Sequence, residues 1–259
     1  VSIFLKDAEA NVHDPITDAE FDLFLDLIKA NDPDLICFTV LTPYAVMFKD
    51  IIKRVKKISN APIIVGGKYP DVQPQRCFEY LEPDYICKGE GEDVFRDMFD
   101  RLKKNKPLND IDGLWWRNEK GEIVDQGMRS LNQDLDQFPF RSVGEPGMFF
   151  IDNDRISEDD PELYHESIWI MAGRGCVYQC SFCVNSVLIP MNKGKGKFVR
   201  MRSPERIIEE LKYKTAKCKN SKDFVYIDEV FGVTNSWIMD FHEKYKNCGL
   251  NHSFSINLV

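Results

Sequence analysis

The 259-residue sequence predicts an α/β protein made of parallel strands joined by helices, and three observations predict it. Short apolar runs alternate with amphipathic stretches through roughly the first hundred residues. Glycines stand directly after two of those runs, at Gly66-Gly67 and at Gly89-Glu90-Gly91-Glu92. A second alternation of strand and helix patterns begins at Ser167 and continues to the last residues.

Taken in order, Val1 to Leu5 reads as a strand. Thr17-Asp18-Ala19-Glu20 is a capping box that opens a helix with Phe21, Phe24, Leu25 and Ile28 on its apolar positions. Leu35 to Val40 is a buried strand, and Ala45 to Ile58 an amphipathic helix with lysines outward. Pro62 to Val65 is a strand running into Gly66-Gly67. A short helix follows near Gln75 to Leu81, then the strand Tyr85-Ile86-Cys87 and a helix from Glu92 to Lys104. This alternation makes residues 1–109 a Rossmann-like (flavodoxin-like) parallel-sheet module. Residues 110–166 form a hairpin, closed by Asn118-Glu119-Lys120-Gly121, and a linker. From 167 to 259 the pattern gives a strand at Ser167 to Ala172, a helix capped by Ser203-Pro204 and running to about Lys217, and a strand at Phe224 to Ile227. A helix from Asn235 to Asn247 and a strand at Ser253 to Asn257 complete about three strand-helix units.

Composition narrows the function. The 43% hydrophobic content supplies packed cores, no run of about eighteen apolar residues is present, and no signal peptide opens the chain. Eight cysteines in 259 residues are too few for a disulfide scaffold. A soluble, cytoplasmic protein is expected, with Cys37, Cys77, Cys87, Cys218 and Cys248 as reduced thiols. The net charge of −8 and pI near 5.2 argue against a nucleic-acid-binding face, leaving a small-molecule substrate as the expected partner.

The chemistry is concentrated in Gly173-Arg174-Gly175-Cys176-Val177-Tyr178-Gln179-Cys180-Ser181-Phe182-Cys183. The spacing CxxxCxxC offers three thiolates to one centre and no local fourth. Electron-transfer 4Fe-4S clusters are capped by four cysteines. Three leave one iron open to a ligand, as a catalytic zinc keeps one position open. Half of a zinc site, or a redox pair at Cys180 and Cys183, are the competing readings. Neither accounts for Cys176, and Cys218 and Cys248 lie too far apart to be a second zinc pair.

With Phe182 at its aromatic position, this motif resembles the CxxxCx(aromatic)C hallmark of radical S-adenosylmethionine (radical SAM) enzymes. The resemblance implies that residues 167–259 are the first half of a partial (β/α)6 barrel. It implies that Cys176, Cys180 and Cys183 ligate a 4Fe-4S cluster and that its open iron binds S-adenosylmethionine. One electron from an external flavodoxin- or ferredoxin-type donor then releases a 5′-deoxyadenosyl radical. Phe182 is expected near the adenine, and Asp228-Glu229 where a carboxylate accepts the amino group of S-adenosylmethionine; an acidic turn or helix cap is an equally open reading of that pair. The basic stretch Lys193-Gly194-Lys195-Gly196-Lys197 reads either as a contact to a cofactor anion or as a solvated loop.

The preceding module is similar to the cobalamin-binding domain that stands before the barrel in many radical SAM enzymes. The matching residues are Pro33 to Ile36, Thr39, Thr42, Val65 to Pro70, Asp84 to Ile86, and Gly89-Glu90-Gly91-Glu92, with further similarity through Asp112 to Arg117 and Leu135 to Pro139. Cobalamin contacts are thereby expected at Thr39, Thr42, Gly66, Gly67, Gly89, Glu90 and Gly91. The DxHxxG motif that supplies a histidine below the cobalt is absent; the nearest histidine, His13, lacks the flanking Asp and Gly, so no histidine lower ligand is expected. The resemblance implies methylation of an unactivated carbon in a small molecule. A radical cyclase or rearrangement enzyme that does not use cobalamin for methyl transfer is the alternative, and a non-enzymatic iron-sulfur or cobalamin-binding protein the third. With half a barrel and no initiating methionine the sequence is expected to be a fragment, lacking the module's first strand and weakly active or inactive by itself.

Overall fold

The computed structural model describes residues 1–5 and 16–257; the surroundings of His13 lie outside the described residues. The chain begins with β1 (Ser2–Leu5) and α1 (Asp18–Asn31). The capping box is made as expected: the Glu20 backbone N–H donates to Thr17 Oγ1 at 3.0 Å, and the Thr17 N–H donates to Glu20 Oε2 at 2.9 Å. Two compact units follow from the packing, residues 25–131 and residues 1–24 with 132–259.

In the first of these, β2 (Ile36–Thr39), α2 (Ala45–Val55), β3 (Ile63–Gly66), α3 (Lys68–Val72), α4 (Pro74–Leu81), β4 (Tyr85–Cys87) and α5 (Glu92–Lys103) alternate along the chain. β2, β3 and β4 are parallel, with Ile36 to Thr39 in register with Ile63 to Gly66. The hairpin of β5 (Leu114–Arg117) and β6 (Ile123–Val124) adds to the same sheet, β5 running antiparallel to β4, to give the order β2-β3-β4-β5-β6. Its turn is held by Asn118, whose Oδ1 accepts the N–H groups of Lys120 and Glu122 at 3.0 Å each. Trp115 is buried and its indole N–H donates to Gly127 O at 2.8 Å. Ile64, Cys87, Val94, Met98, Ile111 and Leu114 pack as one core between the sheet and α5.

The second unit holds β7 (Met148–Asp152), β8 (Arg155–Ser157), β9 (Ser167–Ile170), β10 (Gly173–Arg174), α6 (Asn185–Met191), β11 (Arg200–Met201), α7 (Pro204–Lys217), β12 (Asp223–Tyr226), α8 (Asn235–Lys246) and β13 (Ser253–Ser255). β1, expected with the first module, pairs in parallel with β7 in a separate sheet completed by β8. β9, β12 and β13 form a parallel sheet in the order β13-β12-β9, linked by α7 and α8 in the manner of a (β/α) barrel. Alternation sorts the side chains: Ile168, Ile170, Phe224 and Tyr226 are buried with Ile207, Leu211 and Phe241, while Trp169 and Ile227 are exposed on the other face. α7 is capped as expected, the Ser203 Oγ accepting the Arg206 N–H at 3.1 Å with Pro204 at the first helical position. Beneath β9, the buried Lys214 ammonium donates to Trp169 O at 2.7 Å and stands 3.4 Å from Glu210 Oε1, which provides the charge partner that a buried lysine needs.

Candidate cluster loop and cofactor edge

The three cysteines lie on the segment that leaves the carboxyl end of β9. Its entry is fixed by the short β10–β11 ladder, with Gly173 opposite Met201 and Arg174 opposite Arg200. Gly175 then turns the chain at φ +84°, where a Cβ would sit 2.5 Å from Phe198 O, so the turn and the close approach both require glycine. The exit is fixed by α6, which starts two residues after Cys183, and by a turn in which the Cys183 N–H donates to Cys180 O at 2.9 Å. Cys180 is exposed and Cys176 and Cys183 half-buried, all three as free thiols. Among the described residues, no three His, Cys, Asp or Glu side chains are gathered tightly enough to hold a metal ion, and the thiols are spread along the loop. Phe182, between two of them, is 91% exposed, unusual for so large an apolar side chain.

Asp228 supports this loop from below. It is 3% exposed, at the end of β12, and its carboxylate accepts the N–H of Ala172 at 2.9 Å and that of Gly173. Burial pushes its carboxyl up to about 6, against the opposing pull of those N–H donors. The expected acidic pair is therefore divided: Asp228 is turned onto the backbone of the cluster strand, and Glu229 is exposed.

At the carboxyl ends of β2, β3 and β4 the other expected residues collect on one edge. Thr39 and Thr42 are exposed there, beside the exposed apolar side chains of Leu41, Tyr44, Val46 and Met47. Gly67 has φ +96°, and a Cβ on it would meet Val40 O at 2.8 Å, so no other residue lets the loop lie this close to β2. Asp71, buried in α3, bridges the two glycine loops: its Oδ1 accepts the Gly89 N–H at 2.7 Å, and Lys68 Nζ stands 3.9 Å from its Oδ2. Burial raises the Asp71 carboxyl above the usual carboxylate range. The edge is thus an open shelf of backbone, hydroxyls and apolar side chains, with no bulky group on Gly66, Gly67, Gly89 or Gly91.

Residues 1–99 match the B12 binding domain family. Over 240 residues the chain is 27% identical to an uncharacterized methyltransferase of Pyrococcus horikoshii, covering 92% of this chain and 49% of that protein. Its fold is similar to that of the radical S-adenosylmethionine methyltransferase TsrM from Kitasatospora setae, solved with tryptophan and a S-adenosylmethionine analogue, at a TM-score of 0.66 and 18% identity over 94% of this chain and 51% of that one. The cobalamin-dependent S-adenosylmethionine radical enzyme OxsB, solved with aqua-cobalamin, matches at a TM-score of 0.67 and 20% identity over 92% of this chain and 32% of that one. Residues 1–99 thus belong to the B12 binding domain family, and the fold of the chain is similar to that of cobalamin-dependent radical SAM enzymes.

The chain spans about half the length, or less, of these relatives and solved structures. Sequence reasoning missed Asp71 and the support role of Asp228. It also missed the lacing of residues 132–138 to the barrel. There Arg200 donates to Asn132 O at 2.7 Å, the Ser203 N–H donates to Asp136 Oδ1 at 2.9 Å, and Arg206 donates to Phe138 O at 3.1 Å. Asp71 carried one signal, as an acid in the first turn of a short helix directly after Gly-Gly.

Proposed function

We propose that this protein is a cobalamin-dependent radical SAM enzyme that methylates an unactivated carbon of a small-molecule substrate. The observation that carries the reading is the trio of free thiols on one accessible loop at the carboxyl end of a parallel strand. The donor set fits a 4Fe-4S cluster: soft thiolates, three in number, with no fourth on the loop. With Cys180 exposed and Cys176 and Cys183 only half-buried, the side chains have room to turn inward and share one centre. When bound, the cluster supplies one electron for cleavage of S-adenosylmethionine to a 5′-deoxyadenosyl radical, and cobalamin supplies methyl-group chemistry.

The chain's own residues do the rest. Cys176, Cys180 and Cys183 ligate the cluster. Asp228 fixes the backbone from which that loop departs, and Glu229 accepts the amino group of S-adenosylmethionine in a charge-assisted hydrogen bond. Phe182 offers its exposed ring to the adenine. On the glycine shelf, Gly66, Gly67, Gly89 and Gly91 let a broad ring system approach the backbone. Thr39, Thr42 and Glu90 supply polar contacts at its rim, and Asp71 sets the spacing of the two loops. No DxHxxG histidine stands in the sequence to serve as a lower cobalt ligand.

The test is anaerobic reconstitution of the full-length protein with iron, sulfide and cobalamin, followed by reductant and S-adenosylmethionine labelled in its methyl group. Formation of 5′-deoxyadenosine together with label on cobalamin supports the proposal. Deoxyadenosine without cobalamin labelling moves the assignment to a radical cyclase or rearrangement enzyme, and neither product refutes both.

A further inference from the structure

We propose that the loop Lys193 to Lys197 is the docking face for an acidic, one-electron-carrying protein that reduces the cluster assigned to Cys176, Cys180 and Cys183; this rests on the function proposed above. The loop is fastened on both sides of the cysteine segment. It follows α6, which begins two residues downstream of Cys183, and returns through β11, whose Arg200 and Met201 pair with Arg174 and Gly173 just upstream of Cys176. Phe198, next to Lys197, makes the backbone approach to Gly175, next to Cys176. The basic loop is therefore fastened beside the loop that carries the three cysteines.

The loop is held in shape. Buried Asn192 donates through its side chain to Leu188 O at 2.8 Å and accepts the Lys195 N–H on its backbone oxygen at 3.0 Å. At the far end the Gln133 amide accepts the Lys197 N–H at 3.1 Å and donates to Lys197 O at 3.5 Å. Three lysines in five residues, with no acid among them, stand out on a chain of net charge −8. Other lysines of the same unit are committed elsewhere: Lys214, Lys217, Lys222 and Lys244 each face a carboxylate. Lys193 and Lys197 are exposed, and Lys195 is half-buried.

A patch of three charges on one loop is too small for a nucleic-acid face. It matches the scale of a transient redox encounter, which buries less than about 1,200 Å² and relies on complementary charge for its association rate. In that encounter one electron leaves the donor and enters the cluster, with no atom or proton exchanged, and the donor departs oxidised by one electron.

The test uses the full-length protein with its cluster reconstituted and follows cluster reduction by stopped-flow absorbance. The reductants are an excess of reduced acidic flavodoxin and, separately, reduced methyl viologen, a small cation that needs no docking face. For K193E/K195E/K197E the flavodoxin-driven rate is expected to fall about tenfold or more, within the range over which charge alters association rates. The wild-type rate should decrease with added salt, and the variant should lose that dependence. Reduction by methyl viologen should not slow, and K193R/K195R/K197R should retain the wild-type flavodoxin rate. Flavodoxin reduction of the Glu variant at the wild-type rate overturns the proposal. So does an equal loss with both reductants, which would place the loop on a bound cofactor instead. A wild-type protein that assembles no cluster overturns the function proposed above and the docking face with it, whereas a cluster reduced by methyl viologen and indifferent to the lysines overturns only the docking face.

Discussion

The Asp228 carboxylate at the end of β12 accepts the Ala172 N–H at 2.9 Å, with the neighbouring Gly173 N–H on its second oxygen. One buried side chain thus joins the tips of two adjacent parallel strands at the point where the cysteine loop departs. Both oxygens are occupied by backbone, so the residue acts on the loop's position, while its neighbour Glu229 is exposed.

This arrangement has a pH signature. Burial raises the Asp228 carboxyl to about 6, so the folded state binds its proton more tightly than the unfolded chain, where an aspartate titrates near 4. The resulting stability is fully present below about pH 4 and is lost as pH rises through about 6. Urea midpoints measured at pH 5 and pH 7 should show the wild type gaining stability at the lower pH relative to Asp228→Asn, whose side chain does not titrate. A parallel response of the two proteins would show that Asp228 is not buried as described.

Gly175→Ala should cripple the cysteine loop. The added methyl would stand 2.5 Å from Phe198 O on a backbone at φ +84°, a strain of roughly 1–3 kcal/mol concentrated beside Cys176. Iron content after reconstitution should fall severalfold while circular dichroism stays close to wild type. Wild-type iron loading would mean that the loop reaches the cluster by another path.

Asp71→Ala should weaken cobalamin binding by about tenfold, corresponding to about 1.4 kcal/mol, because the Gly89 N–H loses its buried acceptor and the two glycine loops are no longer tied. Equilibrium titration with hydroxocobalamin measures this directly. An unchanged dissociation constant would separate the shelf from cobalamin.

Much of this was legible in the sequence because it is local. The Thr17 and Glu20 capping box, the Ser203-Pro204 helix start, the Asn118 turn and the strands β9 and β12 are each written within a few residues, and the structure contains them as read. What was illegible depends on partners far along the chain. β1 has the pattern of any short strand, and nothing in Ser2 to Leu5 specifies its pairing with Met148 to Ile151. The β10–β11 ladder is two residues long on each side and carries no period. Asp228 reads as a polar strand end, and only the 55-residue closure onto Gly173 shows that it is a buried acceptor. In the candidate site the cysteine spacing marks the candidate ligands, because coordination chemistry is written in spacing, while the groups that hold the loop in place are encoded in the fold.

The central claim, an open-iron cluster on Cys176, Cys180 and Cys183, is tested most directly by electron paramagnetic resonance of the reconstituted, reduced full-length protein with and without S-adenosylmethionine. The account predicts a 4Fe-4S signal that shifts when S-adenosylmethionine is added and that is lost in Cys180→Ala. A signal indifferent to S-adenosylmethionine, or one that survives Cys180→Ala unchanged, would contradict it.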